Sequence, residues 1–257
     1  MKIFIAYAAF TFLFIINVNA QKLPGKQKQS LRAPSDIKID GLATEWSDKF
    51  QAYNNAVDVF YTISNDDTNL YLTVKAKYRN IVDKILRGGI TFIVNSEVNK
   101  KDKNNVSITY PVLEGTDMFV VANKFSSKSN EYEKTKNGTI KVDDLNELFQ
   151  TKEKLIAVTG VETIIDPSIS IYNSDGIKTA ALFDNKMSYT YELALPIVYL
   201  KLPNNGKDAF SYRIKINEVP IHRPLVITSS TPPPPPPVTI STLATTDFWG
   251  EYTLAKK

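Results

Sequence analysis

In one short run after another along this chain, every second residue is apolar. Val57, Val59, Tyr61 and Ile63 fall on one face of an extended segment, and Leu70, Leu72, Val74 and Ala76 on one face of the next. Successive side chains of a strand point to opposite faces, so this period buries one face and leaves the other free. The intervening Ser64-Asn65-Asp66-Asp67-Thr68-Asn69 has turn chemistry, and the pair predicts an antiparallel hairpin. From Ser35 onward, further strands are expected at Ile90–Val94, Val106–Tyr110, Asp117–Val121, Leu155–Ile165, Ser168–Tyr172, Ile177–Phe183, Met187–Leu193, Phe210–Ile216 and Phe248–Leu254. The Asp175-Gly176 pair predicts a tight hairpin turn between the segments that flank it.

Helix is expected to be scarce. Asp143 or Asp144 is placed to cap a short helical turn carrying Leu145, Leu148 and Phe149, and Ile81–Leu86 suggests another. The polar stretch Asn123–Lys141 reads as a long surface loop. Six consecutive prolines, Pro232–Pro237, dictate a stiff polyproline II segment, expected as a loop between strands and available to an aromatic-lined partner groove. The fold class predicted is all-β: an antiparallel, jelly-roll-like β-sandwich with one or two short helices, formed by residues 35–257 as a single domain.

Residues 1–20 have the composition of a secretory signal peptide: Lys2, an apolar run from Ile3 to Val18, and Val18-Asn19-Ala20 at the cut. The uninterrupted apolar part falls short of the roughly 20 residues a bilayer-spanning helix needs. Cleavage near Ala20 would send the chain to the periplasm, the cell surface or the medium, and no transmembrane segment is expected. The chain has no cysteine, so no disulfide can brace it in an oxidising compartment.

The net charge of +4 is unevenly placed. Lys2 leaves with the leader, and Lys22, Lys26, Lys28 and Arg32 lie in residues 21–34, which read as a flexible basic linker. Removing these five charges leaves a body near −1, without the positive face that nucleic-acid binding requires.

Catalytic constellations are not recognisable. The single histidine, His222, lies between Pro220 and Pro224 with no nucleophile elbow to serve. Carboxylates such as Glu45, Asp48, Asp117 and Glu192 leave a glycosidase open, but their sequence positions do not pair them. Asn65, Asp66, Asp67 and Asn69 offer oxygens that calcium would accept, though Asx residues serve equally as turn formers. Thirteen Tyr and thirteen Phe accompany only Trp46 and Trp249. Sugar rings stack on aromatic faces. In the last strand Phe248 and Trp249 face opposite ways, which makes Trp249 the candidate carbohydrate contact.

Three segments carry a family resemblance. Ile37-Lys38-Ile39-Asp40-Gly41 followed by Glu45-Trp46 resembles the opening of the family 9 carbohydrate-binding module and its DOMON-like relatives. Ile63–Val74, with its Asp-rich turn and Leu70-Tyr71-Leu72, resembles the second signature, and Tyr189–Pro196 the late Y-x-E-x-x-I-P element. The resemblance implies a jelly-roll-like sandwich that binds a polysaccharide or glycan, with calcium in some members. It also implies that Asp40, Gly41, Trp46, Leu70, Tyr71, Glu192 and Pro196 are framework positions. A haem-binding DOMON domain would need axial ligands, for which His222 with Met118 or Met187 is the available set. The expected function is therefore non-catalytic carbohydrate binding outside the cytoplasm, with a protein-interaction scaffold as the alternative.

Overall fold

A computed structural model describes residues 22–96, 105–135, 138–202, 208–219 and 244–257. The signal segment, His222 and Pro232–Pro237 lie outside these residues.

The expected first hairpin is present: β2 (Val59–Asn65) pairs antiparallel with β3 (Asn69–Ala76), with Tyr61 opposite Val74. To these add β1 (Ala52–Asn54), β4 (Ile90–Asn95), β5 (Asn105–Val112), β6 (Leu155–Thr159), β7 (Ser168–Ser170), β8 (Lys178–Phe183), β9 (Tyr189–Pro196), β10 (Ala209–Ile216) and β11 (Thr246–Thr253). They form a five-stranded sheet in the order β1-β2-β3-β9-β8 and a six-stranded sheet in the order β11-β10-β4-β5-β6-β7, antiparallel throughout. The all-β sandwich is thus observed.

The alternating residues of both sheets meet in one core. Tyr61 lies against Tyr212 and Phe248 of the opposite sheet, and the Tyr61 and Tyr212 hydroxyls are 2.9 Å apart. Tyr110 stacks on Tyr191 across the same gap, with ring centroids 5.3 Å apart. Large rings bury much apolar area for few lost torsions, which suits an interior with no disulfide to help it.

Helix is more plentiful than one or two short turns. Three α-helices form: α1 (Arg79–Gly88), α2 (Gly115–Lys134) and α3 (Asp143–Lys152). Residues Asp117–Val121, expected as a strand, and most of Asn123–Lys141, expected as a loop, are α2. Met118, Val121, Ala122 and Phe125 form a buried stripe at helical spacing, which the local Met-Phe-Val-Val run disguises as β. In α3, Asp143 and Asp144 are in the first turn rather than capping it; the N-cap is Val142. Phe125 and Phe149 close on Phe183 at 5.6 and 5.5 Å, and Phe149 also meets Tyr189, so α2 and α3 seal one side of the core.

Two other expectations change. The long strand Leu155–Ile165 stops at Thr159. The hairpin around Asp175-Gly176 is instead a crossover: β7 belongs to the six-stranded sheet and β8 to the five-stranded one. Gly176 does take the positive φ (78°) that its turn role predicts.

The basic segment read as a linker makes specific contacts over residues 22–34. The Gln27 side-chain amide donates to the Ile63 carbonyl and accepts from its N–H, both at 2.7 Å. It thereby pairs the edge of β2 beyond the point where β1 ends. Arg32 continues the edge by bridging to Asn65. The opposite edge of the same sheet is treated alike: the Asn146 side chain of α3 donates to the Phe183 carbonyl at 3.0 Å and accepts its N–H at 2.8 Å. Both caps limit strand-to-strand pairing between molecules.

Candidate functional site

The three segments that carry the resemblance converge on the outer face of the five-stranded sheet. Trp46, in a short 3-10 turn, packs with Ala43 and Phe50, and its Nε1 donates to Thr73 Oγ1 on β3 at 3.1 Å. The backbone N–H groups of Asp40 and Gly41 both donate to Glu192 Oε2 on β9, at 3.0 and 2.9 Å. Thr73 and Glu192 are direct cross-strand partners, so one lid is held at two adjacent points. Glu192 is 1 % exposed, and burial pushes its carboxyl up to about 7 against the pull of the two N–H donors; Glu45 and Asp40 nearby add to the rise. Gly41 has φ +83°, and a Cβ there would lie 2.8 Å from the backbone of Ala181 and Leu182. The lid residues and Glu192 thus serve as framework.

In the second segment, Asp66 spends both carboxylate oxygens inside its own turn. Oδ1 accepts from the N–H groups of Thr68 (2.7 Å) and Asn69 (2.6 Å), and Oδ2 accepts from the Tyr71 hydroxyl at 2.6 Å. These bonds outweigh burial and hold Asp66 at about 2. Asp67 pairs with Arg32 at 2.9 Å and Lys257 at 2.5 Å. Turn chemistry accounts for these acids. The other acids singled out in the sequence are also engaged: Asp48 with Lys75 at 2.7 Å, Asp117 with Lys152 at 2.9 Å, and Glu45 with the Lys38 N–H at 3.1 Å. Met118 and Met187 are both buried.

Phe248 and Trp249 face opposite ways, as expected: Phe248 enters the core and Trp249 projects from the outer face of the six-stranded sheet. It is half-buried, and the Arg213 guanidinium lies 5.4 Å from its ring centre, itself paired with Asp247 at 2.6 Å. The ladder register places Trp249, Arg213, Ile93, Ser107 and Thr159 in one row across five strands. Trp249 lines none of the clefts described below.

A cleft lies elsewhere, at the open side where the edge strands β8 and β7 approach α3. It has a volume of about 610 Å³ and is lined by Asp40, Glu147, Gln150, Thr151, Glu153, Lys154, Ile171, Tyr172 and Thr179–Ala181. Phe183 turns its N–H and C=O away from β9 toward Asn146. Alternation in an antiparallel ladder therefore directs the backbone groups of Ala181 and Thr179 to the same free edge, along the cleft. Tyr172 stands at the rim, 77 % exposed. Lys154 Nζ lies 5.4 Å from its ring centroid and 3.3 Å from its hydroxyl, and also donates to the Gln150 carbonyl.

The inner end of the cleft is a carboxyl in the core. Glu153, just past α3, is 4 % exposed and accepts a short hydrogen bond from the Tyr110 hydroxyl. Burial raises its pKa to about 7, although Tyr110 and the charge of Lys154 pull the other way. Burial and the charge of Glu153 in turn push the Tyr110 and Tyr189 phenols well above their ordinary value. Sequence reasoning missed this site. Its one visible signal was an aromatic, Tyr172, beside the turn Asn173-Ser174-Asp175-Gly176.

Three further openings are smaller. One, between the N-terminal segment and β11, is lined by Gln27–Ser30 and Glu251–Thr253; another is lined by Val161, Ile164, Tyr199 and Lys201; a third, between α1 and α2, is lined by Arg79, Asp83, Arg87 and Ser126. Among family models, curated proteins and solved structures, none matches this chain.

Proposed function

We propose that this chain is an exported, non-catalytic glycan-binding domain whose site is the cleft at the free edge of β8. The observation that carries the reading is the exposed Tyr172 ring at the mouth of a polar groove. A sugar presents apolar C–H faces and a belt of hydroxyls. A binding site for it therefore needs a flat aromatic surface beside fixed donors and acceptors. Here Tyr172 supplies the surface. Gln150, Thr151, Glu147, Asp40 and the outward backbone groups of Thr179 and Ala181 supply the polar contacts. The leader-like residues 1–20 agree with a ligand met outside the cytoplasm.

Affinity electrophoresis through gels containing plant or microbial polysaccharides tests this. Retardation by at least one polysaccharide, abolished in Tyr172→Ala, is expected. Migration unaffected by every polysaccharide in a broad panel contradicts it.

The row across the six-stranded sheet supports a second reading, in which Trp249 is the sugar contact. A row spanning five strands suits a polymer better than a single ring. Retardation lost in Trp249→Ala and retained in Tyr172→Ala would favour that face.

A further inference from the structure

We propose that the edge cleft prefers glycans bearing a free amino group, with the sugar ring on Tyr172 and the ammonium facing the carboxylate wall. This deepens the glycan-binding reading and rests on it.

The charge of the lining comes first. Asp40 and Glu147 supply the negative charge of a cleft whose one lining cation is Lys154, and Glu153, which holds its proton until a cation arrives, is a third carboxyl in the same wall. The three acids are spread along the wall: among the described residues no three metal-ligating side chains gather closely enough to hold a metal ion. Distributed negative charge of this kind suits an organic cation attached to a larger body better than a compact ion. A uronic acid, by contrast, would bring a fourth carboxylate into the cleft.

The second observation is the protein's own ammonium. Lys154 Nζ rests on the Gln150 carbonyl and touches the Tyr172 hydroxyl, at the hydroxyl end of the ring. A carbonyl and a phenol oxygen are partners an ammonium takes. The cleft therefore already displays the coordination that a sugar amine would use, and Lys154 is the group it would displace or share with. Thr179 adds a third feature: its hydroxyl oxygen is buried at the cleft without a hydrogen-bond partner among the described residues. Glu153 completes the site from below. An incoming positive charge favours its ionised form, so binding near neutral pH carries a proton out of the protein.

Titration calorimetry with three tetrasaccharides tests the preference: β-1,4-linked glucosamine, its fully N-acetylated counterpart, and cellotetraose. At mildly acidic pH, where the amine is charged, the glucosamine form is expected to bind about tenfold more tightly than the other two, an advantage shrinking as salt is added. Glu147→Gln, a change on an exposed helical position, should reduce that advantage several-fold. Lys154→Met should raise the ratio of glucosamine to N-acetylated binding several-fold. Equal or weaker binding of the glucosamine form overturns the inference and leaves the broader glycan reading intact. A glucosamine preference indifferent to both substitutions overturns the assignment to this cleft. Failure of all three sugars to bind overturns the inference and counts against the broader reading as well.

Discussion

Glu192→Gln isolates the electrostatic cost of the lid's anchor. The folded protein holds the Glu192 carboxyl at about 7, against an ordinary value of 4.5. A raised pKa means the folded state binds the proton more tightly than the unfolded chain. The resulting contribution to stability is fully present below pH 4.5 and is lost as the pH rises through 7. The difference corresponds to about 3 kcal/mol between the two ends of that window. Glutamine keeps an oxygen for the Asp40 and Gly41 N–H groups and cannot ionise. Urea unfolding of the two proteins at about pH 4.5 and pH 8 reads the effect. The substitution should cost stability or be neutral at the acidic end, and the difference between variant and wild type should move in favour of the variant by about 3 kcal/mol at the alkaline end. Glu153, also held at about 7, contributes equally to both proteins and cancels from the difference. An unchanged difference across the window would refute a buried, proton-retaining Glu192.

Further outcomes follow from other contacts. Gly41→Ala places a Cβ 2.8 Å from the Ala181 carbonyl carbon in a left-handed backbone, and should destabilise by about 2–4 kcal/mol in thermal or chemical denaturation. Tyr110→Phe removes the hydroxyl that stabilises the ionised Glu153, so the Glu153 pKa should climb above its value of about 7, as followed by carboxyl carbon NMR. Trp46→Phe deletes the 3.1 Å bond to Thr73 and leaves a buried hydroxyl acceptor unmet, an expected loss of about 1–2 kcal/mol by denaturant titration. Trp249→Ala should change stability far less than Trp46→Phe, because its ring lies outside the core.

The sandwich was legible because one physical signal, period-two burial, acts locally. Tyr61, Ile63, Leu72 and Val74 name their own face without reference to any distant residue. The signal fails where burial is two-sided or helical. Tyr71 and Thr73 alternate with core residues yet are buried as well, since the lid covers the outer face. In α2, Met118, Val121 and Phe125 obey a longer period that the neighbouring Phe119 and Val120 obscure. The turn at Asp175-Gly176 announced a reversal of direction but not which sheet received the next strand, because that choice is made by packing. The candidate cleft was illegible for the same reason. Asp40, Glu153, Tyr172 and Thr179 come from four separate segments, and nothing local about Glu153 marks it as buried beneath Tyr110. Parity within one strand put Phe248 and Trp249 on opposite faces, and packing decides that Trp249 is the outward one.

A bound glycan sits in the edge cleft if Tyr172 is its stacking surface. Backbone amide shifts of isotopically labelled protein, recorded while a retarding glycan is added, locate it directly. Perturbations concentrated at Gln150–Lys154, Ile171–Tyr172 and Thr179–Ala181 are the predicted result. Perturbations confined to Trp249 and its neighbours on β10 and β4, or scattered without a centre, would contradict it.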